Sequence, residues 1–139
     1  MIILDTNVVS ELMAEKPDLA VFAWARTVAR DQMTITTVTF MELRYGIEKL
    51  PISKRRTKME SDLEWVLTDM VSGRMLNFDM SAAKYAAERI AHLKKIGQPV
   101  EIRDVQIAGV AMSRRIKIAT RNTKDYEHLT VKVINPWGG

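Results

Sequence analysis

A three-layer α/β sandwich, with a central parallel sheet of four to five strands and helices on both faces, is the fold class this sequence predicts. Three observations carry that reading. Short apolar runs alternate with longer stretches of helical periodicity. The opening run, Ile2-Ile3-Leu4, shows no polar alternation, as expected of a strand buried on both faces. Turn-forming residues (Pro17, Pro51, Gly73, Gly97) fall between the periodic stretches. With 139 residues the chain suits one domain with one core, spanning 1–139.

The elements follow in order. After the opening strand, Ser10 starts a short helix through Met13. Leu19, Phe22, Ala23 and Arg26 begin a second helical stripe, broadened by Val21, Trp24 and Val28. Met33-Thr34-Ile35-Thr36 is rich in β-branched residues and reads as the second strand. Thr39-Phe40-Met41-Glu42 fits a capping box, with Thr39 as cap and Glu42 reaching back. Leu43, Ile47 and Leu50 continue that helix until Pro51. A further helix opens near Lys54 and carries Leu63, Val66, Leu67 and Met70 to Gly73. Met75-Leu76-Asn77-Phe78 is a short third strand. Asp79 or Ser81 caps a long helix to about Ile96, closed by Gly97. Another helix runs from about Arg103 to Arg115. Ile116–Ala119 and Val131–Ile134 are the fourth and fifth strands, and Asn135-Pro136 ends the last.

Composition narrows the chemistry. The chain has no cysteine, which excludes disulfides, thiolate metal sites and a cysteine nucleophile, and fits a reducing, cytoplasmic setting. No apolar stretch reaches the length of a membrane span, and the N-terminus lacks the pattern of a signal peptide. A net charge of +4 permits a nucleic-acid partner without requiring one.

The polar residues then converge. Ligands of open α/β sheets sit beyond the carboxyl ends of the strands. Asp5 follows the first strand, Glu42 lies near the start of the helix after the second, and Asp104 opens the helix before the fourth. Asn122 and Asp125 follow the fourth strand. Asp104 precedes Ile107 and Ala108 by three and four residues, so it shares their inward face. Glu42 precedes Gly46 by four, which leaves space beside it. Helix N-termini favour anions by roughly 0.3–1 kcal/mol each, too little to gather three carboxylates. Such a cluster raises its own pKa values or recruits a cation. With oxygen ligands alone, that cation is hard, Mg²⁺ or Mn²⁺. Each residue also has a plain structural role: Asp5 as a turn residue, Glu42 as a capping residue, Asp104 as a first-turn acid, and Asn122 and Asp125 as loop residues.

Four segments carry a family resemblance: Leu4-Asp5-Thr6-Asn7-Val8-Val9-Ser10-Glu11-Leu12, Thr39-Phe40-Met41-Glu42-Leu43-Arg44-Tyr45-Gly46, Arg103-Asp104-Val105-Gln106-Ile107-Ala108 and Ala119-Thr120-Arg121-Asn122-Thr123-Lys124-Asp125-Tyr126. Together, in this order, they resemble the signature blocks of PIN domains. Similarity is greatest to VapC-type toxins of type II toxin–antitoxin systems, and Asn135-Pro136-Trp137 resembles the ending of their FitB-like branch. The resemblance implies a PIN-like sandwich and a Mg²⁺- or Mn²⁺-dependent endoribonuclease that cuts RNA through metal-activated water. It implies inhibition by a small VapB-like antitoxin, a homodimer, and a higher toxin–antitoxin assembly on operator DNA. Asp5, Glu42 and Asp104 match the family's metal-binding acids. Asn122 matches a fourth catalytic position that is Asp in some relatives and Asn in others, and Asp125 can restore charge nearby. Thr6 and Thr39 can hydrogen-bond the acids or water. Arg103, Arg121 and Lys124 are the candidate phosphate contacts.

The basic run Lys54, Arg55, Arg56, Lys58 reads first as a solvated helix face. His92 and His128 read as surface residues without metal-ligand spacing. The apolar residues of about Thr39–Met70 fit a dimer face or an antitoxin groove. Two other functions remain open on the residues: a nuclease of the same chemistry in ordinary RNA or DNA processing, and a degenerate PIN-like module that binds nucleic acid or a partner without cutting.

Overall fold

The computed structural model describes residues 1–138. Along the chain come β1 (Ile2–Leu4), α1 (Thr6–Met13), α2 (Leu19–Thr27), β2 (Met33–Thr36), α3 (Thr37–Glu48), α4 (Lys54–Trp65), β3 (Met75–Leu76), α5 (Met80–Lys95), α6 (Ile102–Arg114), β4 (Lys117–Ala119) and β5 (Val133–Ile134). The strands form one parallel sheet in the order β3-β2-β1-β4-β5. The sandwich and its five strands match the expected class.

The sheet order makes β1 the pivot. The chain builds outward from β1 to β2 and β3, then returns to add β4 and β5 on the other side. Strand order therefore reverses between β1 and β4, where open α/β sheets place their ligands. Register fixes what meets there. Leu4 pairs with Ala119, and the Asp5 N–H donates to the Ala119 carbonyl at 2.9 Å. Asp5 and Thr120 therefore leave the sheet side by side.

Burial explains the unalternating strand. Ile3 and Ile118 pack with Ala86, Val105 and Ala108 on the α5–α6 side. Ile2, Leu4 and Ala119 pack with Val8, Val9, Ile35 and Val66 on the other. Both faces of β1 are covered, so both need apolar side chains. The α5–α6 layer is tight. A Cβ on Gly109 would lie 2.5 Å from the Ala82 carbonyl oxygen.

Several boundaries differ from the sequence expectation. The first helix starts at Thr6 rather than Ser10, because Asp5 itself caps it. The cap of α3 is Thr36, whose hydroxyl accepts from the Thr39 N–H, so Thr39 lies buried inside the helix and is not its cap. Glu42 therefore sits beyond the first turn and closes no capping box. Of the two candidates for α5, Asp79 is the cap. Past Trp65 the chain continues as a wide π-turn over Val66–Met70. β3 and β5 are shorter than expected. Where only two residues pair, the neighbouring apolar residues pack without joining the ladder.

Candidate active site

Asp5 is the best-anchored acid of the molecule. It is 4% exposed. Its Oδ1 accepts from the Thr6 N–H at 2.8 Å, the N-cap bond of α1. Its Oδ2 accepts from Thr120 Oγ1 at 2.7 Å, Tyr126 OH at 3.1 Å and Asn7 Nδ2 at 3.3 Å. Burial still pushes its carboxyl above the usual range, against the pull of these donors, and Glu42 adds to the push. Among the described residues no cation pairs with it.

Asp104 stands across the Tyr126 hydroxyl, which is 3.5 Å from its Oδ1. It lies in the first turn of α6, half-buried on the inward face, as its spacing predicts. Its carboxyl is pushed up to about 7. Desolvation is the main cause; the charges of Asp5, Asp125 and Glu101 follow, together with a hydrogen bond to Asp125 that favours the protonated form. Burial pushes the Tyr126 hydroxyl far above the phenol range, so it remains a donor between the two acids.

Glu42 is differently placed. Its Oε1 accepts from Thr6 Oγ1 at 2.9 Å, and the Thr6 hydroxyl also lies 3.2 Å from Thr39 Oγ1. Its Oε2 pairs with Arg103 at 3.1 Å. The exposed Arg103 draws Glu42 toward itself, and among the described residues no three Asp, Glu or His side chains close into one ligand cage. The expected three-acid cluster is thus a close pair, Asp5 and Asp104, with Glu42 tied to it through Thr6.

The remaining predicted residues divide. Asp125 joins the site by its bond to Asp104. Asn122 is exposed; its backbone N–H donates to Thr120 Oγ1 at 3.1 Å, while its side chain makes no hydrogen bond to the acids. The Arg121 guanidinium lies 5.1 Å from the centre of the Trp137 ring, while the Arg121 backbone N–H donates to Asn7 Oδ1. Lys124 is exposed beside Asp125 and touches none of the acids through an ion pair. In the basic run, Arg56 pairs with Glu48 and Glu60, and Lys58 with Asp62. Those two cations are engaged on the helix face rather than offered to a ligand.

The donor set suits a hard divalent cation. Asp5 Oδ1 carries one hydrogen bond and keeps a lone pair, and Asp104 carries the long Tyr126 contact and the bond to Asp125, which leaves lone pairs on its carboxyl as well. Every nearby ligand atom is an oxygen. Two like-charged carboxylates at partial burial, with no ion pair, are what a bound cation would relieve.

A model of the PIN domain family matches residues 2–131 of this sequence. The chain belongs to the PIN-domain family. VapC ribonuclease Y4jK of Sinorhizobium fredii is 37% identical over 137 residues, covering 99% of this chain and 98% of that protein. Toxin FitB of Neisseria gonorrhoeae is 32% identical over 137 residues and 99% of each chain. Among solved structures, FitAB bound to an IR36 DNA fragment superposes with a TM-score of 0.90 at 30% identity, over 100% of this chain and 97% of that one.

In this PIN domain, Tyr126, Thr120 and Asn7 hold the acids in place without having been singled out as site residues. Thr120 carried a usable signal: it follows β4 as Asp5 follows β1, and parallel neighbours in register end together. Tyr126 carried none, since its reach back to Asp5 depends on a single 3₁₀ turn over Thr123–Tyr126.

Proposed function

We propose that this chain is a divalent-metal-dependent endoribonuclease, the toxin of a VapBC-type toxin–antitoxin pair, folded as one domain over residues 1–139. One observation carries the reading. Asp5 and Asp104 face each other across the Tyr126 hydroxyl at the reversal of strand order, with no cation paired to either. Similarity to proteins named VapC ribonuclease and Toxin FitB supports the reaction class and the toxin role. The DNA-bound FitAB structure supports an antitoxin partner and an assembly on operator DNA. The toxin acts as a homodimer in the cytoplasm. No helix of the described residues is long and apolar enough to cross a membrane.

In this reading Asp5 and Asp104 hold Mg²⁺ or Mn²⁺ directly. When bound, the ion lowers the pKa of a water and polarises the phosphoryl oxygen. The protein's part is positional. Four donors fix the Asp5 carboxylate, so it costs little reorganisation to use. Asp104, raised to about 7, would have to be deprotonated to hold the ion. Tyr126 keeps the two carboxylates at a fixed spacing. Arg103 is exposed, so a phosphate oxygen of RNA would compete with Glu42 for it, and Glu42 so released would be a third residue to hold the ion. Arg121, braced on Trp137, and Lys124 approach the same backbone. Asn122 orients water, and the charge of Asp125 helps hold the Asp104 carboxyl above its usual range in the metal-free protein.

The test is RNA cleavage by purified protein with Mg²⁺ or Mn²⁺, with EDTA as control, and growth arrest on expression with and without the neighbouring small reading frame. Metal-dependent cleavage and arrest relieved by the neighbour are expected. Cleavage undiminished in EDTA contradicts the metal mechanism. Soluble protein that neither cuts nor arrests growth favours the binding module.

A further inference from the structure

The opposite edge of the sheet, where the strands begin, carries charges that the acid site does not use. Lys117 opens β4, Lys132 precedes β5, and Arg115 is the C-cap of α6. With Tyr85, Met112 and Thr130 they line an open cavity of about 570 Å³. Arg89 reaches its rim, 3.5 Å from Thr130 Oγ1. Among the described residues none of Arg89, Arg115, Lys117 and Lys132 forms an ion pair, while Arg44, Arg56, Lys58, Arg103 and Arg114 all do. Tyr85 is 40% exposed, a large aromatic ring left beside unpaired cations.

Two residues here take the left-handed region: Arg115, φ 57°, as the residue that ends α6, and Thr130, φ 51°, where a β-branched side chain is disfavoured.

We infer that this cavity is a second RNA site, taking one single-stranded nucleotide with its base on Tyr85 and its phosphate among Arg115, Lys117 and Lys132. The inference rests on the ribonuclease reading for the identity of the polyanion. The volume lies in the range of about 300–1,000 Å³ usual for small-ligand pockets. Cations that track phosphates beside an aromatic that stacks a base are the two components of single-strand binding. An acidic protein surface would use the charges but not the cavity or the ring, and a second copy of this chain would set like charges together. The three residues of β1 separate the two edges, roughly 10 Å at about 3.3 Å per residue. A folded RNA can thus meet both, cut at one and held at the other.

The experiment is fluorescence anisotropy of a labelled short oligouridylate in EDTA, over a salt series, with wild type, Tyr85→Ala and the double variant Lys117→Gln/Lys132→Gln. The double variant should bind about tenfold more weakly, with the salt slope reduced by about 1.4, two phosphate contacts at about 0.7 each for single strands. Tyr85→Ala should lose at least about fivefold without a change of slope. Mn²⁺ binding at the acids and thermal melting should stay as in wild type. Unchanged affinity and slope overturn the inference, as does an equal loss for duplex DNA or an altered oligomeric state with RNA binding intact. Cleavage by wild type is scored separately. Pocket-dependent binding without cleavage would sink the ribonuclease reading and keep the site. Cleavage with pocket-independent binding would do the reverse.

Discussion

The two edges of one parallel sheet solve opposite electrostatic problems. At the carboxyl edge, Asp5 is buried and met by four donors, and Asp104 is held near neutrality by desolvation and neighbouring charge. At the amino edge, Arg115 and Lys132 stay in water, and among the described residues neither forms an ion pair. A buried charge must be satisfied locally, so its surroundings are built and rigid. An exposed charge costs little to leave unpaired, so it remains available to a partner. The acid edge is therefore sensitive to each neighbour, and in the proposed reading it is the place of a small cation. The basic edge is tolerant and additive.

Substitutions should break that contrast in a definite order. The largest effect belongs to Asp104→Asn. RNA cleavage should fall by at least about two orders of magnitude. The metal-free protein should at the same time become more stable near pH 8, by roughly 1–2 kcal/mol after allowance for solvent screening of a half-buried group. The sign follows from linkage. The carboxyl is raised from 3.8 to about 7 on folding, so wild-type stability is full below about pH 4 and is lost as pH rises toward 7. Urea midpoints of wild type and variant should converge on acidification. A variant no more stable than wild type at high pH would mean Asp104 is not under repulsion.

Tyr126→Phe should be intermediate. It removes the donor between Asp5 and Asp104 while keeping the buried ring. Losing a hydrogen-bond donor that orients a metal-holding carboxylate costs about 10–100-fold in metal affinity. Calorimetric Mn²⁺ titration should show it, with folding stability lowered by about 1 kcal/mol in urea titration. Unaltered affinity would reduce Tyr126 to a packing residue. The smallest effect on the acids should come from Lys117→Gln/Lys132→Gln across the sheet, where Mn²⁺ affinity should not move.

The contrast also explains what could be read from the residues. The buried side of the fold was legible because covering β1 on both faces forces Ile2-Ile3-Leu4, and because helical stripes and strand runs differ in period. β2 and the start of α4 fall where the pattern puts them. The acids Asp5 and Asp104 were legible as charges at a strand end and on an inward helix face. Glu42 was placed one helical turn out, because Thr36 and Thr39 compete for the cap and a sequence cannot say which hydroxyl meets which N–H. Its pairing with Arg103 spans 61 residues and has no local signal. Tyr126 and the basic cavity were missed for the same reason. Both depend on chain reversal bringing distant segments together, and the residues of the cavity are scattered over α5, α6 and the approach to β5.

The most direct measurement is Mn²⁺ binding, followed by electron paramagnetic resonance, to wild type and Asp104→Asn at about pH 8 and about pH 5.5. Wild type should bind at the higher pH and more than about tenfold more weakly at the lower, since the proton on a carboxyl held at about 7 competes with the ion. The variant should bind weakly at both and show no such dependence. Equal binding by wild type and variant, or affinity that ignores pH, would contradict an Asp5–Asp104 metal site.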